Sequence, residues 1–355
     1  MIQKQLRIGM IGTGGNGNAK HMPSLSKIDE VALTAFCDLS EERAREAASK
    51  FGHADCQVYT DYRKLLDNPA IDVVHISTPN HMHAEIAIAA LEAGKHVMCE
   101  KPMATRAADA RKMAETARRT GKKLSIGYQW RLRPENQYLK QLCQSGEFGR
   151  LYYAKSSWLR RRGVPTWGAF LDKEKQGGGP LIDLGSHALD LVLWLLDNYK
   201  PASVTGSSFH VLGGKENAVN EWGAWEPAKF TVEDSAFGFI KMTDGTTIVL
   251  EASWALNTLQ TGGPKVQLCG SEGGADMEDG LRINGERAGR LFEQKIDLKT
   301  GSAAGNPAEQ EARQWIDCIL NGTDPLVTAE QALVVTEILE AIYASSATGK
   351  TVYWE

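Results

Sequence analysis

Short apolar runs alternate with amphipathic stretches along the first 127 residues. LRIGMIG (6–12), VALTAFCD (31–38), IDVVHIST (71–78), HVMCE (96–100) and KLSIGY (123–128) have strand character. Between them, SEERAREAASKF (40–51), HAEIAIAALEAG (83–94) and a stretch near 105–120 have helical spacing. Ser40 is placed to cap the first of these helices and Gly94 to end the second. Strands alternating regularly with helices predict an α/β, doubly wound parallel sheet covered on both faces.

The pattern changes after about residue 150. LYYAKSSWL (151–159), VTGSSF (204–209), SAFGFIKM (235–242) and TTIVLEASW (246–254) follow one another as strands, the last two joined at an Asp-Gly turn, Asp244-Gly245. Successive strands with few helices between them predict a second, α+β domain with a mostly antiparallel sheet. The segment 215–230, with two tryptophans, reads as a long irregular loop, while 307–320 and 328–349 read as strong helices. We therefore expect a doubly wound α/β domain over 1–127 and an α+β domain over 128–355.

One helical segment does not fit a simple core pattern. PLIDLGSHALDLVLWLL (180–196) is apolar enough for burial, yet it carries Asp183, His187 and Asp190. On an α-helix advancing roughly 100° per residue, Ser186, His187 and Asp190 fall within about 60° of Asp183. The polar groups form a stripe, which predicts leucines buried on one side and a polar face on the other. A structural Asp–His pair is one reading of that stripe, and a site bearing a base is another. A metal site on Asp183 and His187, with His81 and His83 as further donors, has nothing else converging on it, and we expect none. His81 and His83 read as loop and cap residues of the 83–94 helix, and Asp190 as a supporting or salt-bridging group.

Composition narrows the function classes without selecting one. The chain has 355 residues, 42% hydrophobic and 24% charged, with a formal net charge of −4. That balance gives no electrostatic case for nucleic acid or membrane binding. The six cysteines are scattered, with no CxxC pair, which suits a reducing compartment rather than a disulfide framework or a zinc site. The N-terminus has no signal-peptide pattern, and a cytoplasmic location is expected.

Gly12-Thr13-Gly14-Gly15-Asn16-Gly17 matches GxGxxG between a predicted strand and a predicted helix. Alone the motif is weak. In this position, glycines Gly12, Gly14, Gly15 and Gly17 permit a tight turn and let backbone N–H groups approach a pyrophosphate. Asp38 ends the second strand 21 residues after Gly17, where a carboxylate accepts hydrogen bonds from ribose hydroxyls and repels a 2′-phosphate. NAD is the expected cofactor, with NADP disfavoured and Arg43 as the one residue pointing the other way. Thr78-Pro79-Asn80 and Glu100-Lys101-Pro102 follow later strands at the same carboxyl edge, where ligands of such sheets bind.

GxGxxG, TPN at 78–80, EKP at 100–102 and DLGSH at 183–187, in this order, resemble the glucose-fructose oxidoreductase / inositol dehydrogenase / MocA family across essentially the whole chain. The resemblance implies a Rossmann domain followed by a domain whose open sheet serves oligomerisation, giving a homodimer or homotetramer. It implies a catalytic group of Lys101, Asp183 and His187. It also implies that the stretch Tyr128-Gln129-Trp130-Arg131 touches nicotinamide and substrate, with Gln129 assigned to the cofactor and Arg131 to the substrate. Thr78, Pro79, Asn80, Glu100 and Lys101 are further expected cofactor contacts.

Oxidising a secondary alcohol requires removal of its proton as hydride leaves the same carbon. His187, with an unperturbed pKa of about 6.5, suits the base. Asp183 suits the role of orienting the ring, and Lys101 that of stabilising the developing alkoxide. Trp158, Arg160 and Trp167, in WLRRRGVPTW (158–167), are expected to join Lys101, Arg131, Asp183 and His187 around the substrate. A solvated basic loop is the competing reading of the arginines. The family implies a sugar, glycoside or cyclitol (inositol-like) substrate oxidised at a ring hydroxyl. The alternatives within it are an NAD-dependent glycosidase working by transient oxidation, and a non-catalytic sugar-responsive regulator.

Overall fold

The computed structural model describes residues 5–298 and 305–354. Its chain divides into two compact units, one of residues 1–129 and 305–333, the other of 130–304 and 334–355. The strands are β1 (Leu6–Ile11), β2 (Val31–Cys37), β3 (Gln57–Tyr59), β4 (Val73–Ile76), β5 (His96–Cys99), β6 (Leu124–Ile126), β7 (Leu151–Leu159) and β8 (Pro201–Phe209). They continue as β9 (Ser235–Met242), β10 (Thr247–Ser253), β11 (Gly262–Gly270), β12 (Gly273–Asp276), β13 (Arg282–Arg287), β14 (Arg290–Lys295) and β15 (Val352–Tyr353). The helices are α1 (Met22–Leu25), α2 (Glu41–Phe51), α3 (Tyr62–Leu66), α4 (His83–Glu92), α5 (Ala107–Thr120), α6 (Pro134–Ser145), α7 (Lys173–Gln176), α8 (Ser186–Leu196), α9 (Pro307–Leu320) and α10 (Ala329–Thr348).

In the first unit, six parallel strands run in the order β3-β2-β1-β4-β5-β6, the doubly wound dinucleotide-binding topology. Their register does the functional work. Ile11 pairs with Cys37 and Ile76, Ile76 with Cys99, and Cys99 with Ile126. Gly12, Asp38, Ser77, Glu100 and Gly127 therefore leave the sheet along one carboxyl edge. The core beneath it is apolar: Ile8, Met10, Val73 and Met98 pack against Met22, Leu25, Ala44 and Ala47.

Residues 305–333 depart from the expected division at 127/128. Trp315 and Ile316 of α9 are buried in that same core. An amphipathic helix must bury its stripe, and this one does so in the first unit after the chain has built most of the second.

The second unit carries a nine-stranded sheet, β14-β13-β12-β11-β7-β10-β9-β8-β15. Only β7 and β10 pair in parallel; the other neighbours are antiparallel. Strands β7, β9 and β10 fall where alternation predicts them, and β11 to β14 lengthen the sheet beyond the expected strands. The helical stretch Lys173–Leu196 has the length and hydropathy of a membrane span, but 94% of its apolar 18-residue window is buried inside the fold. Ser186 to Leu195 are all buried. The expectation of a helix apolar on one side only is thus corrected: α8 is a central helix, enclosed all round.

Candidate active site

Residues 12–17 behave as two pairs of glycines. Gly12 has φ +88°, and a Cβ there would lie 2.6 Å from the Ser77 carbonyl oxygen. A Cβ on Gly17 would lie 2.5 Å from the Gly12 carbonyl oxygen. Those two are required by the turn itself. Gly14 and Gly15 instead have no atom within 4 Å of a built Cβ, so the loop is open on that side. Helical residues begin at 15 and continue to 25, π-helical over Gly17–His21. Open glycines before a helix N-terminus make a cradle for a pyrophosphate.

At the neighbouring strand end, Asp38 Oδ2 accepts from Thr13 N (3.0 Å), while Oδ1 accepts from Ser40 N (3.0 Å) and Arg43 Nη2 (2.7 Å). Burial alone would raise its pKa, but the bonds from Ser40, Arg43 and Thr13 together lower it. Asp38 is therefore held as a carboxylate beside the glycine loop, and the guanidinium of Arg43 is engaged with it.

Glu100 differs from the expectation of a cofactor contact. It is 5% exposed, and its Oε1 accepts from Lys20 and His21, both at 2.8 Å. Its Oε2 lies 3.2 Å from the backbone N–H of Lys101. Burial would raise the Glu100 pKa; the charges of Lys20 and His21 outweigh it and hold the carboxyl well below the usual range. Lys20 is also bridged to Glu311 at 2.8 Å and donates to Gln129. This buried cluster ties the helical segment after the glycine loop to the end of β5 and to α9, and sequence reasoning missed Lys20, His21 and Glu311. The only signal was a basic pair in a helix following a glycine loop.

His83 ties two loops together. Its Nε2 is 2.9 Å from the Thr78 carbonyl and its Nδ1 2.8 Å from the Pro102 carbonyl. Burial draws its pKa below the ordinary value against the pull of the two carbonyls. The 78–80 and 100–102 segments are thereby held in one arrangement, with Pro79 exposed, Asn80 buried and Lys101 partly exposed. Among the described residues no group of three or more His, Cys, Asp or Glu side chains is gathered as metal ligands.

In the second unit, the chain enters α8 through a π-helical turn, Leu181–Gly185. Glu233 secures that turn: its carboxylate accepts from Gly179 N (2.9 Å), Leu181 N (3.1 Å) and Tyr343 Oη (2.8 Å). The π-turn changes the directions expected from an α-helix, because each residue there advances by less than 100°. Asp183 retains 8% exposure, and the indole N–H of Trp254 donates to its Oδ2 at 3.0 Å. His187 retains 6%, its ring 5.8 Å from that of Trp158. Trp158 meets Trp130 edge-on at 5.0 Å.

Asp190 is the salt-bridging group expected of it, and its partner is Arg131. Both are 0% exposed, and the guanidinium donates through Nε (2.9 Å) and Nη2 (2.6 Å) to the two oxygens of Asp190. Burial raises the Asp190 pKa and Arg131 works against it. A fully buried, forked guanidinium has no face for a substrate, so the expected substrate contact at Arg131 is corrected to an internal ion pair. Arg160 stacks on the rings of Trp158 (5.8 Å) and Trp222 (5.0 Å), and Trp167 is 53% exposed.

This geometry agrees with what the chain is similar to. Residues 6–128 match the oxidoreductase family with an NAD-binding Rossmann fold, and 136–276 match the GFO/IDH/MocA C-terminal domain. A D-glucoside 3-dehydrogenase of Escherichia coli is 34% identical over 352 residues, 99% of this chain and 98% of that one. A levoglucosan dehydrogenase of Pseudarthrobacter phenanthrenivorans is 28% identical, covering 70% and 68%. Among solved structures, an oxidoreductase domain protein from Kribbella flavida superposes with a TM-score of 0.86 at 26% identity, covering 99% of each chain. The chain belongs to the GFO/IDH/MocA family and is an NAD-dependent oxidoreductase.

Proposed function

We propose that this protein oxidises a ring hydroxyl of a glycoside, with a glucoside as the first substrate to test. The observation that carries the reading is the pair Asp183 and His187. They stand on a helix otherwise closed by leucines, keep a small exposed fraction, and lie beside Trp254 and Trp158. A relative matched along almost its whole length, the D-glucoside 3-dehydrogenase, supports the choice of substrate.

When bound, NAD⁺ supplies the hydride acceptor. Gly14, Gly15 and the N–H groups that follow hold its pyrophosphate, and Asp38 its ribose. Thr78, Pro79, Asn80 and Gln129 line the same edge. His187 takes the hydroxyl proton as a neutral imidazole. Asp183, anchored by Trp254, stabilises the imidazolium that results. Lys101, partly exposed after β5, stabilises the developing alkoxide of the same hydroxyl. Trp158, Arg160 and Trp167 receive the rest of the substrate, and aromatic faces suit the C–H faces of a pyranose.

Incubation with NAD⁺ and a panel of glucosides, free sugars and inositols, following NADH absorbance and aglycone release, tests this. NADH formation with a glucoside is expected. Aglycone release without NADH, or no turnover of any sugar or cyclitol, would overturn the reading.

A further inference from the structure

Two tryptophans of the second unit are displayed rather than buried. Trp167 is 53% and Trp222 40% exposed, whereas Trp254 and Trp225 are 0% and 9% exposed. Large aromatic side chains rarely remain on a surface in pairs without a role there. These two meet edge-to-face, centroids 5.1 Å apart at 68°.

The segment that displays Trp222 is held firmly. The side chain of Asn220 accepts from Val164 N (2.9 Å) and donates to the carbonyls of Val164 (2.9 Å) and Gly223 (2.8 Å). Thr166 Oγ1 donates to the Trp222 carbonyl at 2.6 Å. Trp225 is the buried root of the same loop, its indole N–H donating to the Gly213 carbonyl at 2.8 Å. Loops 160–168 and 215–230 are thus clamped together by side chains that are themselves satisfied, which makes the exposed pair preorganised.

Two lines of contact join this pair to the proposed reacting groups. Along one, His187 meets Trp158, Arg160 stacks between Trp158 and Trp222, and Trp222 meets Trp167. Along the other, Asp183 accepts from Trp254, which meets Phe170 at 6.1 Å, which meets Trp167 at 5.9 Å. On each line two side chains stand between the exposed pair and the proposed reacting groups, so the pair lies beyond the proposed reaction centre and is not part of it. Beside Trp167 lies a cleft of about 800 Å³ rimmed by Thr166, Asp172, Lys229 and Thr231, within the usual size range of small-molecule sites.

We propose that Trp222 and Trp167 form an aglycone subsite for a ring-bearing group, aryl or second pyranose, of a glycoside whose first ring reacts at Asp183 and His187. The proposal rests on the function proposed above. A ring with an apolar face gains from flat aromatic contact and a methyl group does not, so the subsite discriminates by aglycone size and flatness.

The test compares methyl, phenyl and glucosyl glycosides of one oxidised sugar, for the parent, Trp222→Ala and Trp222→Phe. In Trp222→Ala, KM for the ring-bearing glycosides relative to the methyl glycoside is expected to rise about tenfold, with Trp222→Phe recovering most of it. A rise for phenyl alone identifies an aryl aglycone, and a rise for the disaccharide alone identifies a second sugar. An unchanged ratio for both overturns the subsite, and since each variant serves as its own control, a folding defect cannot imitate the result. If the parent oxidises no glycoside, the proposed function fails instead. Quenching of tryptophan fluorescence by phenyl glucoside then decides the subsite separately: loss of quenching in Trp222→Ala supports it, and equal quenching overturns it.

Discussion

The indole N–H of Trp254 donates a 3.0 Å hydrogen bond to Oδ2 of Asp183, although the two residues are 71 positions apart and Trp254 is 0% exposed. Losing this donor weakens the hold on the carboxylate, because hydrogen bonds to charged groups contribute about 1.5–3 kcal/mol. Trp254→Phe keeps an aromatic core and removes the bond. We expect kcat for NADH formation to fall roughly ten- to a hundredfold, with a shift in the acid limb of the pH–rate profile. An unchanged kcat and profile would show that Asp183 does not depend on this donor.

Arg131 and Asp190 form a closed ion pair, and removing one partner leaves the other charged and buried. Asp190→Ala should cost about 3–5 kcal/mol of stability, read as a lower urea midpoint. Replacing both by apolar residues, as in Arg131→Met with Asp190→Leu, should recover much of that loss. If the single variant unfolded like the parent, the pair would not be the internal brace described.

The glycine loop separates packing from binding. Gly12→Ala must fit a Cβ 2.6 Å from a carbonyl oxygen at φ +88°, so a lowered melting temperature is expected. Gly15→Ala meets no protein atom within 4 Å, so it should melt like the parent while its Kd for NAD rises at least about tenfold. Parent-like NAD affinity in Gly15→Ala would remove the pyrophosphate from that face.

Glu100 carries a pH dependence whose sign follows from its depressed pKa. Its stabilisation is fully present above the unfolded value of about 4.3 and is lost as pH falls towards the lower folded value. Glu100→Gln should therefore melt below the parent at neutral pH and show a shallower fall in melting temperature between about pH 5 and 3. Parallel curves would mean that another carboxylate carries the acid limb.

Much of this arrangement was legible in the chain because it depends on local pattern. Strand ends follow from where apolar runs stop, and the shared edge of Gly12, Asp38 and Glu100 follows from parallel register. What escaped depends on distant pairing. The polar residues of 180–196 stood out in the sequence, but a helical projection cannot foresee the π-turn at Leu181–Gly185 or the enclosure of α8 on all sides. Nor can it show that Arg131 reaches Asp190 or that Glu233 holds the turn. The apolar stripe of α9 announced burial without saying in which core. Strands such as RINGER (282–287) and RLFEQK (290–295) are short and mostly polar, with Ile283 their one buried apolar side chain, and carry little periodic signal.

The central claim is that His187 removes the proton of a sugar hydroxyl as NAD is reduced. The most direct measurement is kcat for NADH formation from a glucoside by the parent and by His187→Asn, alongside the Kd for NAD of each. A roughly 10²- to 10⁴-fold loss of kcat with NAD affinity retained is the expected result; near-parental turnover by His187→Asn would contradict the account.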